Sequence, residues 1–331
     1  NGEAWRPVKR FKVSDAEWAK MKRLGLTEVT EEGRQVFYPT LGNVDGKVQT
    51  KRPRLLRFIG CSQFMIKGVV VQNSPSFHVN MILCHDFILD GIMVRCPWNA
   101  QNGDGIDLSS CHHVLLTGCS VDAGDDSICM KSGIGNVGRS RGATHDVVID
   151  GCTVFHGHGG FVIGSDTGGG MKDIMVRKCR FIDTDTGIRI KSGRDRGGEV
   201  RDIWIEDIVM CDIADEAILF DCYYQEKVGD ARDVKPAEVT ADTPRFGDVH
   251  ISNVVCTDAA RAILFKGLPE MPVSNVTISN TTISARSGAV INHAHGITLR
   301  DVTLVLPGNA EAVMSHDADG LSTPGLKIVN E

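Results

Sequence analysis

The chain of 331 residues contains no apolar run approaching 18 residues, so no segment has the length of a membrane-spanning helix. Aromatic residues make up only 6%, which argues against a bulky sandwich core. Eleven cysteines include no Cys-x-x-Cys pair, which speaks against a zinc ribbon, and the odd count leaves at least one thiol unpaired. Neither sign of charge dominates: Lys and Arg total 36, Asp and Glu 42, and the net charge is -6, so the field of the whole molecule does not recruit nucleic acid. An acidic ligand would therefore need a local basic patch. The sequence starts at Asn1 with neither Met nor a signal-type segment, so the compartment cannot be read from that end. What is present is 42% hydrophobic residues, enough for a sizeable core, and 36 glycines, which favour many short strands and tight turns.

The chain repeats itself. QFMIKGVVV (63–71), DFILDGIMV (86–94), HVLLTGCSV (113–121), DVVIDGCTV (146–154), DIMVRKCRF (173–181), DIWIEDIVM (202–210), DVHISNVVC (248–256), NVTISNTTI (275–283) and ITLRDVTLV (297–305) share one pattern. Each is a polar residue, alternating apolar residues, a turn-like polar pair, then apolar residues again. Alternation with period two is a strand signal, and each unit carries two or three short strands. Starts mostly 22–33 residues apart, without helical periodicity, fit the turns of a parallel β-helix. A leucine-rich repeat would need Leu and Asn at fixed offsets, and these are absent.

In such a solenoid, equivalent residues of successive turns lie about 4.8 Å apart, so a column of the alignment is a column in space. Cys119, Cys152 and Cys179 share a column and read as an inward stack of small hydrophobes. Longer periods mark loops at Ile134–Thr144 and Gln225–Phe246, the kind of insertion that walls a binding site. Ser14, Asp15 and Glu17 read as the capped start of a helix. The expected organisation is one domain over 1–331, with a peripheral segment 1–56, repeats over 57–305 and a cap or tail over 306–331.

The second half of each turn carries the polar residues. DGIDLSS (104–110), DSICMKSG (126–133), GGFVIGSD (159–166), TGIRIKSG (186–193), EAILFDC (216–222) and RAILFKG (261–267) align on the third position. Asp104 then stacks on Asp126, and His158 on Asp125, with Arg189 and Lys191 one turn further. Three carboxylates so close cannot all ionise cheaply, and a cluster that splits its pKa values is what general acid–base chemistry uses. Each motif alone is ordinary: Asp-Gly is a turn signal, and oxygen clusters can hold calcium. Against calcium, a histidine and two cations converge on the same face. Arg194, Arg196 and Arg201 read either as a solvated loop paired with Asp195 and Glu199 or as a further subsite for a polyanion.

Asn102-Gly103-Asp104, Gly124-Asp125-Asp126, Gly157-His158-Gly159 and Arg189-Ile190-Lys191 occur in the order found in glycoside hydrolase family 28, the polygalacturonases, which the chain resembles from about 57 to 305. GCTVFHGHGGFVIGS (151–165) looks like that family's signature around its histidine. The resemblance implies an all-β fold, a right-handed parallel β-helix, and inverting hydrolysis of α-1,4-galacturonosyl bonds without a metal or other cofactor. It implies that Asp125 is the general acid, that Asp104 and Asp126 activate water, and that His158 holds Asp125 protonated and oriented. Arg189 and Lys191 would grip the galacturonate carboxylate, with Asn102 and Tyr224 completing the sugar contacts. Tyr224 is preferred to Tyr223 because neighbours on an extended strand face opposite sides. The family's usual Asn-Thr-Asp has Gly103 in place of Thr, and the family's first coils and N-terminal cap are expected to have been lost here. The expected partner is an acidic polysaccharide, not nucleic acid or membrane, and a pectin substrate implies a secreted or periplasmic location. Alternatives of other kinds are a rhamnogalacturonan or xylogalacturonan hydrolase, a calcium-dependent lyase, or a β-helix that binds polysaccharide without turnover. The insertions and the arginine cluster favour exo over endo attack.

Overall fold

A computed structural model of the chain describes residues 8–23, 27–31, 34–38, 52–224, 226, 228 and 230–330. Strand makes up 57% and helix 7%, and nearly all the strand belongs to one continuous parallel array, a right-handed parallel β-helix. The ladder follows the repeat register residue by residue. Phe64, Phe87, Val114, Val147 and Ile174, each the second residue of its unit, pair in succession. The residue before each of them has left-handed backbone: Asp86, His113, Asp146 and Asp173 have φ of 51–54°. A corner that bends the chain there selects short polar side chains, which tolerate this conformation far better than branched ones. That is why each unit opens on Asp, Asn, His or Gln. The last unit is shifted by one residue from its expected frame: Thr277 pairs Thr298, so Gly296, with φ 65°, occupies the opening corner instead of Ile297.

Alternate apolar residues turn inward. In the strand His112–Thr117, Val114 and Leu116 are buried and Leu115 is not. Burying each such aliphatic side chain contributes about 1.5–3 kcal/mol. Cys119, Cys152 and Cys179 line the same core as free thiols. From the strand Ile203–Cys211 onward, two faces of the coil merge into single long strands. The loop expected at 134–144 contains a short helix, Gly135–Arg141. In the loop expected at 225–246, residues 225, 227 and 229 lie outside the described residues, and the strand resumes at Arg245.

The helix Asp15–Arg23 begins at Ser14 as expected. The Glu17 backbone N–H donates to Ser14 Oγ at 3.3 Å, and the Ser14 backbone N–H donates back to Glu17 Oε2 at 2.9 Å. Ahead of it, the strand Val8–Lys9 joins a small antiparallel sheet with Arg34–Tyr38 and Thr27–Glu31. It also touches the coil: Val8 bridges Ala100, and the Lys9 N–H donates to the Asn99 carbonyl at 3.0 Å. The chain ahead of the helix is thereby laid across the loop that leads into Asp104.

Candidate active site

Four strands of one face carry the polar columns. Ile106–Ser109, Asp126–Lys131, Gly159–Ile163 and Ile188–Lys191 pair in that order, with Ile106 opposite Ile128, Asp126 opposite Gly159, and Val162 opposite Arg189. Asp104 therefore stands one turn from Asp126, and the His158 N–H donates to the Asp125 carbonyl at 2.9 Å. Close packing explains the glycines between them. A Cβ on Gly103 would lie 2.7 Å from Cys96 Sγ and 3.1 Å from Ala100 Cβ, which accounts for the departure from Thr at this position. A Cβ on Gly160 would meet the Phe181 ring at 2.3 Å.

The cluster is buried, with Asp104 only 2% exposed and Asp126 3%. His158 Nδ1 is 3.2 Å from Asp125 Oδ1. Lys191 Nζ donates to both oxygens of Asp126, at 2.7 and 3.0 Å, and Arg189 Nη1 approaches Oδ1 at 3.4 Å. The Asp125 carboxylate also accepts the Asn102 backbone N–H at 3.2 Å, whereas the Asn102 side-chain oxygen is held by Arg52 Nη2 at 2.7 Å. The Asn102 side-chain oxygen is thus turned to Arg52, and its backbone reaches the cluster. Tyr224 packs against Lys191, whose Nζ lies 4.9 Å from the ring centre, while Tyr223 is buried and donates its hydroxyl to the Gly267 carbonyl at 2.9 Å. Arg194 and Arg196 are engaged with Glu270 and Asp166, and Arg201 with Glu199, so this cluster is paired.

Two residues that no motif or repeat singled out complete the site. Lys9, 1% exposed, places its ammonium 2.6 Å from the Gly124 carbonyl, 3.2 Å from Asp125 Oδ2 and 2.7 Å from His158 Nε2. An ammonium only donates, so His158 accepts at Nε2 and carries its proton on Nδ1, facing Asp125. Asp107, fully buried, lies 3.1 Å from Lys131 Nζ, which also approaches Asp104 at 3.6 Å and Asp126 at 3.8 Å. Asp107 sits within DGIDLSS, three residues past Asp104, and its strand position was the available signal. Lys9 left none, because it lies outside the repeats.

The environments drive the carboxyls apart. Burial, then the charges of Asp107 and Asp125, push Asp104 well above the usual range. Burial also pushes on Asp125, but Lys9 and His158 outweigh it and hold this carboxyl well below the usual range. On Asp126 the burial effect is overcome by Lys191, Lys131 and Arg189, which bring it to about 2. Burial raises Asp107 to about 6 against the pull of Lys131, and burial together with Lys9 lowers His158 to about 4. The resting proton of the cluster thus lies on Asp104, and Asp125 is a carboxylate, which reverses the expectation that His158 keeps Asp125 protonated. Asp125, Asp126 and His158 have ligand atoms within 4.8 Å of one another, but Lys9 and Lys191 already neutralise the two carboxylates and oppose a cation there.

Beside the cluster opens a cleft of about 780 Å³, walled by His158 and Arg189 together with Lys12, Trp98, Asp185 and Asp215. Lys12 pairs with Asp185 at 3.2 Å and stands over Trp98. Arg189 reaches this wall, whereas Lys191 stays 3% exposed beneath it.

Residues 19–298 match the sequence model of glycosyl hydrolases family 28. The chain is 28% identical over 240 residues to a probable polygalacturonase of Vitis vinifera, covering 72% of this chain and 48% of that one. It is 29% identical over 241 residues to an endo-polygalacturonase of Pectobacterium carotovorum subsp. carotovorum, covering 73% and 55%. Its backbone superposes on a hyperthermoactive exopolygalacturonase from Thermotoga maritima with a TM-score of 0.70 at 27% identity, covering 79% and 56%. The chain thus spans about half the length of the curated relatives it matches. With the family's four motifs brought to one face and its sequence model matched over most of the length, the chain belongs to glycosyl hydrolases family 28.

Proposed function

We propose that this chain is an inverting hydrolase of α-1,4-galacturonosyl linkages in homogalacturonan or its oligomers, attacking from a chain end. The observation that carries the reading is the convergence of Asp104, Asp125 and Asp126 from two neighbouring turns with His158, at the wall of a cleft that Arg189 also lines. Asp125 protonates the departing glycosidic oxygen. Asp125 takes up a proton for this step once substrate is bound, and the Lys9 ammonium, 3.2 Å from Asp125 Oδ2 and with its own proton affinity lowered by burial, is the neighbouring source. Water attacks the anomeric carbon from the opposite side and gives its proton to the Asp104–Asp126 pair. Asp104 carries the resting proton, so the acceptor within the pair is Asp126, which Lys191, Lys131 and Arg189 keep ionised. Asp104 Oδ1 is buried and has no hydrogen-bond partner among the described residues, so it has a free acceptor position toward the cluster. Retaining glycosidases keep their two carboxyls about 5–5.5 Å apart and inverting ones about 6.5–9.5 Å, a spacing that here concerns Asp125 against the pair and not Asp104 against Asp126.

Arg189, with a planar fork of donors, grips the sugar carboxylate. The cleft wall alternates Lys12 and Arg189 with Asp185 and Asp215, so positive charge is local to one sugar and does not form a track for a polyanion. Beyond Tyr224, Arg194 binds Glu226 and Glu270, and Arg139 binds Asp242. These pairs tie Asp242 to the Gly135–Arg141 helix and Glu226 and Glu270 to Arg194, which supports exo attack. A pectin substrate places the protein outside the cytoplasm, secreted or periplasmic.

The test is chromatography of products from polygalacturonic acid, with and without EDTA, beside Asp125→Asn. Saturated galacturonate monomer, indifferent to EDTA and lost by about 10²–10⁴-fold in the variant, is the expected result. A ladder of oligomers would make the attack endo. Unsaturated, EDTA-sensitive products would replace hydrolysis with elimination, and binding without product would leave a non-catalytic polysaccharide module.

A further inference from the structure

At the far end of the same face, two further histidines and an aspartate meet. The strands Ser287–His295 and Val313–Asp319 pair with Asn292 opposite His316 and Ala294 opposite Ala318, which sets His293 beside Asp317 in adjoining turns. Both residues have left-handed backbone, with φ of 49° and 47°. His293 Nδ1 lies 3.3 Å from Asp317 Oδ2, His316 Nε2 lies 3.5 Å from the same oxygen, and the three ligand atoms are within 4.8 Å of one another. Asn292 continues the column that runs through Lys191, Asp221 and Lys266, so His316 is four turns, roughly 19 Å, beyond Lys191.

We propose that His293, His316 and Asp317 form a divalent-metal site of the zinc type, with three protein ligands and a fourth position open to solvent. Tautomer chemistry supports this first. His293 Nε2 is 2.9 Å from the Ala231 carbonyl, which only accepts, so this nitrogen carries a proton and Nδ1 is the ring atom turned toward Asp317. Nδ1 lies 3.3 Å from a carboxylate oxygen, a contact that is favourable only with positive charge between the two atoms, either a metal ion or a proton. A metal-binding histidine commonly donates its other ring N–H to a carbonyl, as His293 does, and this fixes the ring.

Distance supports it second. Zinc–nitrogen and zinc–oxygen bonds of about 2.0–2.1 Å in a tetrahedron put neighbouring ligand atoms about 3.3–3.4 Å apart. Two of the three ligand separations here are 3.3 and 3.5 Å, and the third, between the two imidazoles, is within 4.8 Å. Two imidazoles and a carboxylate suit zinc and its first-row neighbours better than calcium or magnesium, which prefer oxygen. Exposure supports it third: His293 is 3% exposed, whereas the side chains of His316 and Asp317 are 41% and 66% exposed, so the ion has a route in and a free coordination position. Because Ala231 belongs to the insertion between the strands Ile213–Asp221 and Arg245–Cys256, a bound ion would fasten that insertion to the last coils.

The experiment is calorimetric titration of the chelator-treated full chain with ZnCl₂, with Co²⁺ absorption as a second readout of geometry. The expected result is one equivalent with tetrahedral cobalt bands, an affinity weakened at least about tenfold in His316→Gln and in Asp317→Asn, and thermal stabilisation by zinc in the parent alone. Both substitutions are at exposed positions, so loss of folding does not confuse the result. The exposed group of His85, His112, His113 and His145 could also take up metal, so His113→Asn is the control and is expected to keep the tight equivalent. Zinc binding that is equal in parent, His316→Gln and Asp317→Asn, or absent from the parent, overturns the site. In that case the positive charge between His293 and Asp317 is a proton. None of these readouts depends on turnover of any sugar.

Discussion

Two arrays of aspartate and histidine stand on this solenoid, built by the same repeat and differing in what covers them. On the outer surface His85, His112 and His145 pair in register and stack their rings 5.0 and 4.9 Å apart, nearly parallel, with His113, Asp86 and Asp146 beside them. In the cleft, Asp104, Asp125, Asp126 and His158 are stacked by the same ladder, with Asp104, Asp126 and His158 buried and Asp125 nearly so. The outer array is solvated, and its pairings are the weak surface kind. In the buried array each carboxyl meets a different charge: Lys9 on Asp125, Lys191 on Asp126, and Asp107 near Asp104. Columns of polar residues are therefore cheap in a β-helix. What separates acid from base is burial, together with cations brought in from outside the column.

Removing one such cation breaks the comparison most sharply. Lys9→Met leaves His158 and Asp125 in place but withdraws the charge that opposes burial. Turnover is expected to fall by about a thousandfold near neutral pH, within the range of general acid–base effects. Asp125 then titrates higher than in the parent, because the foremost of the charges that oppose burial is gone while His158 and Lys191 remain. An acid works below its pKa, so the residual activity should rise as pH falls through that raised value, whereas Lys9→Arg should recover part of the parent profile. Profiles of kcat/KM against pH decide the matter. A more active Lys9→Met would make this lysine a lock on the site instead of its proton source.

Asp107 tests burial without the reacting atoms. Its folded-state pKa, raised to about 6, favours the protonated form in the folded protein. The stability it contributes is complete below the unfolded value near 3.9 and is lost as pH rises through about 6. Asp107→Asn is neutral at every pH and should abolish that decline, a gain on the order of 3 kcal/mol at pH 7. Denaturant titrations at pH 4 and 7 measure it. An unchanged slope between them would mean that Lys131 fully compensates Asp107.

The coil was legible because its constraint is local and repeated. An opening corner of left-handed backbone selects Asp, Asn, His, Gln or Gly, and an inward position selects Val, Ile, Phe or Cys, so the register from Phe64 to Val276 is legible in the sequence alone. The slip at Gly296 came where glycine, equally at home in the corner, replaced the polar marker. Asp104, Asp125, Asp126 and His158 were legible for the same reason, being columns of that register. Lys9 was not, because its position comes from a strand that pairs across the fold with Arg34–Tyr38 and the Asn99 loop, and such contacts leave no period in the sequence. The proton's place was also hidden. It depends on Lys9 and Asp107, which no motif marks, and so was assigned to Asp125 instead of Asp104.

The smallest effect is expected in the exposed array, and this is what makes it informative. His112 lies between His85 and His145, and partial burial, then the neighbouring imidazoles of His145, His113 and His85, lower its proton affinity. A histidine with a depressed folded-state pKa costs stability as pH falls through its unfolded value near 6.5, because the unfolded chain takes up the proton more readily. His112→Gln removes that titration and leaves the ladder flanked by two histidines two turns apart. Thermal unfolding at pH 7 should move by no more than about 0.5 kcal/mol, as for surface substitutions generally, and the decline from pH 7 to pH 5 should become shallower. Activity on polygalacturonic acid should stay at the parent value, since neither the cleft nor its cations are touched. A loss of activity in His112→Gln comparable to that in Lys9→Met would mean that the outer column is coupled to the cleft through the coil, and that burial alone does not divide the two arrays.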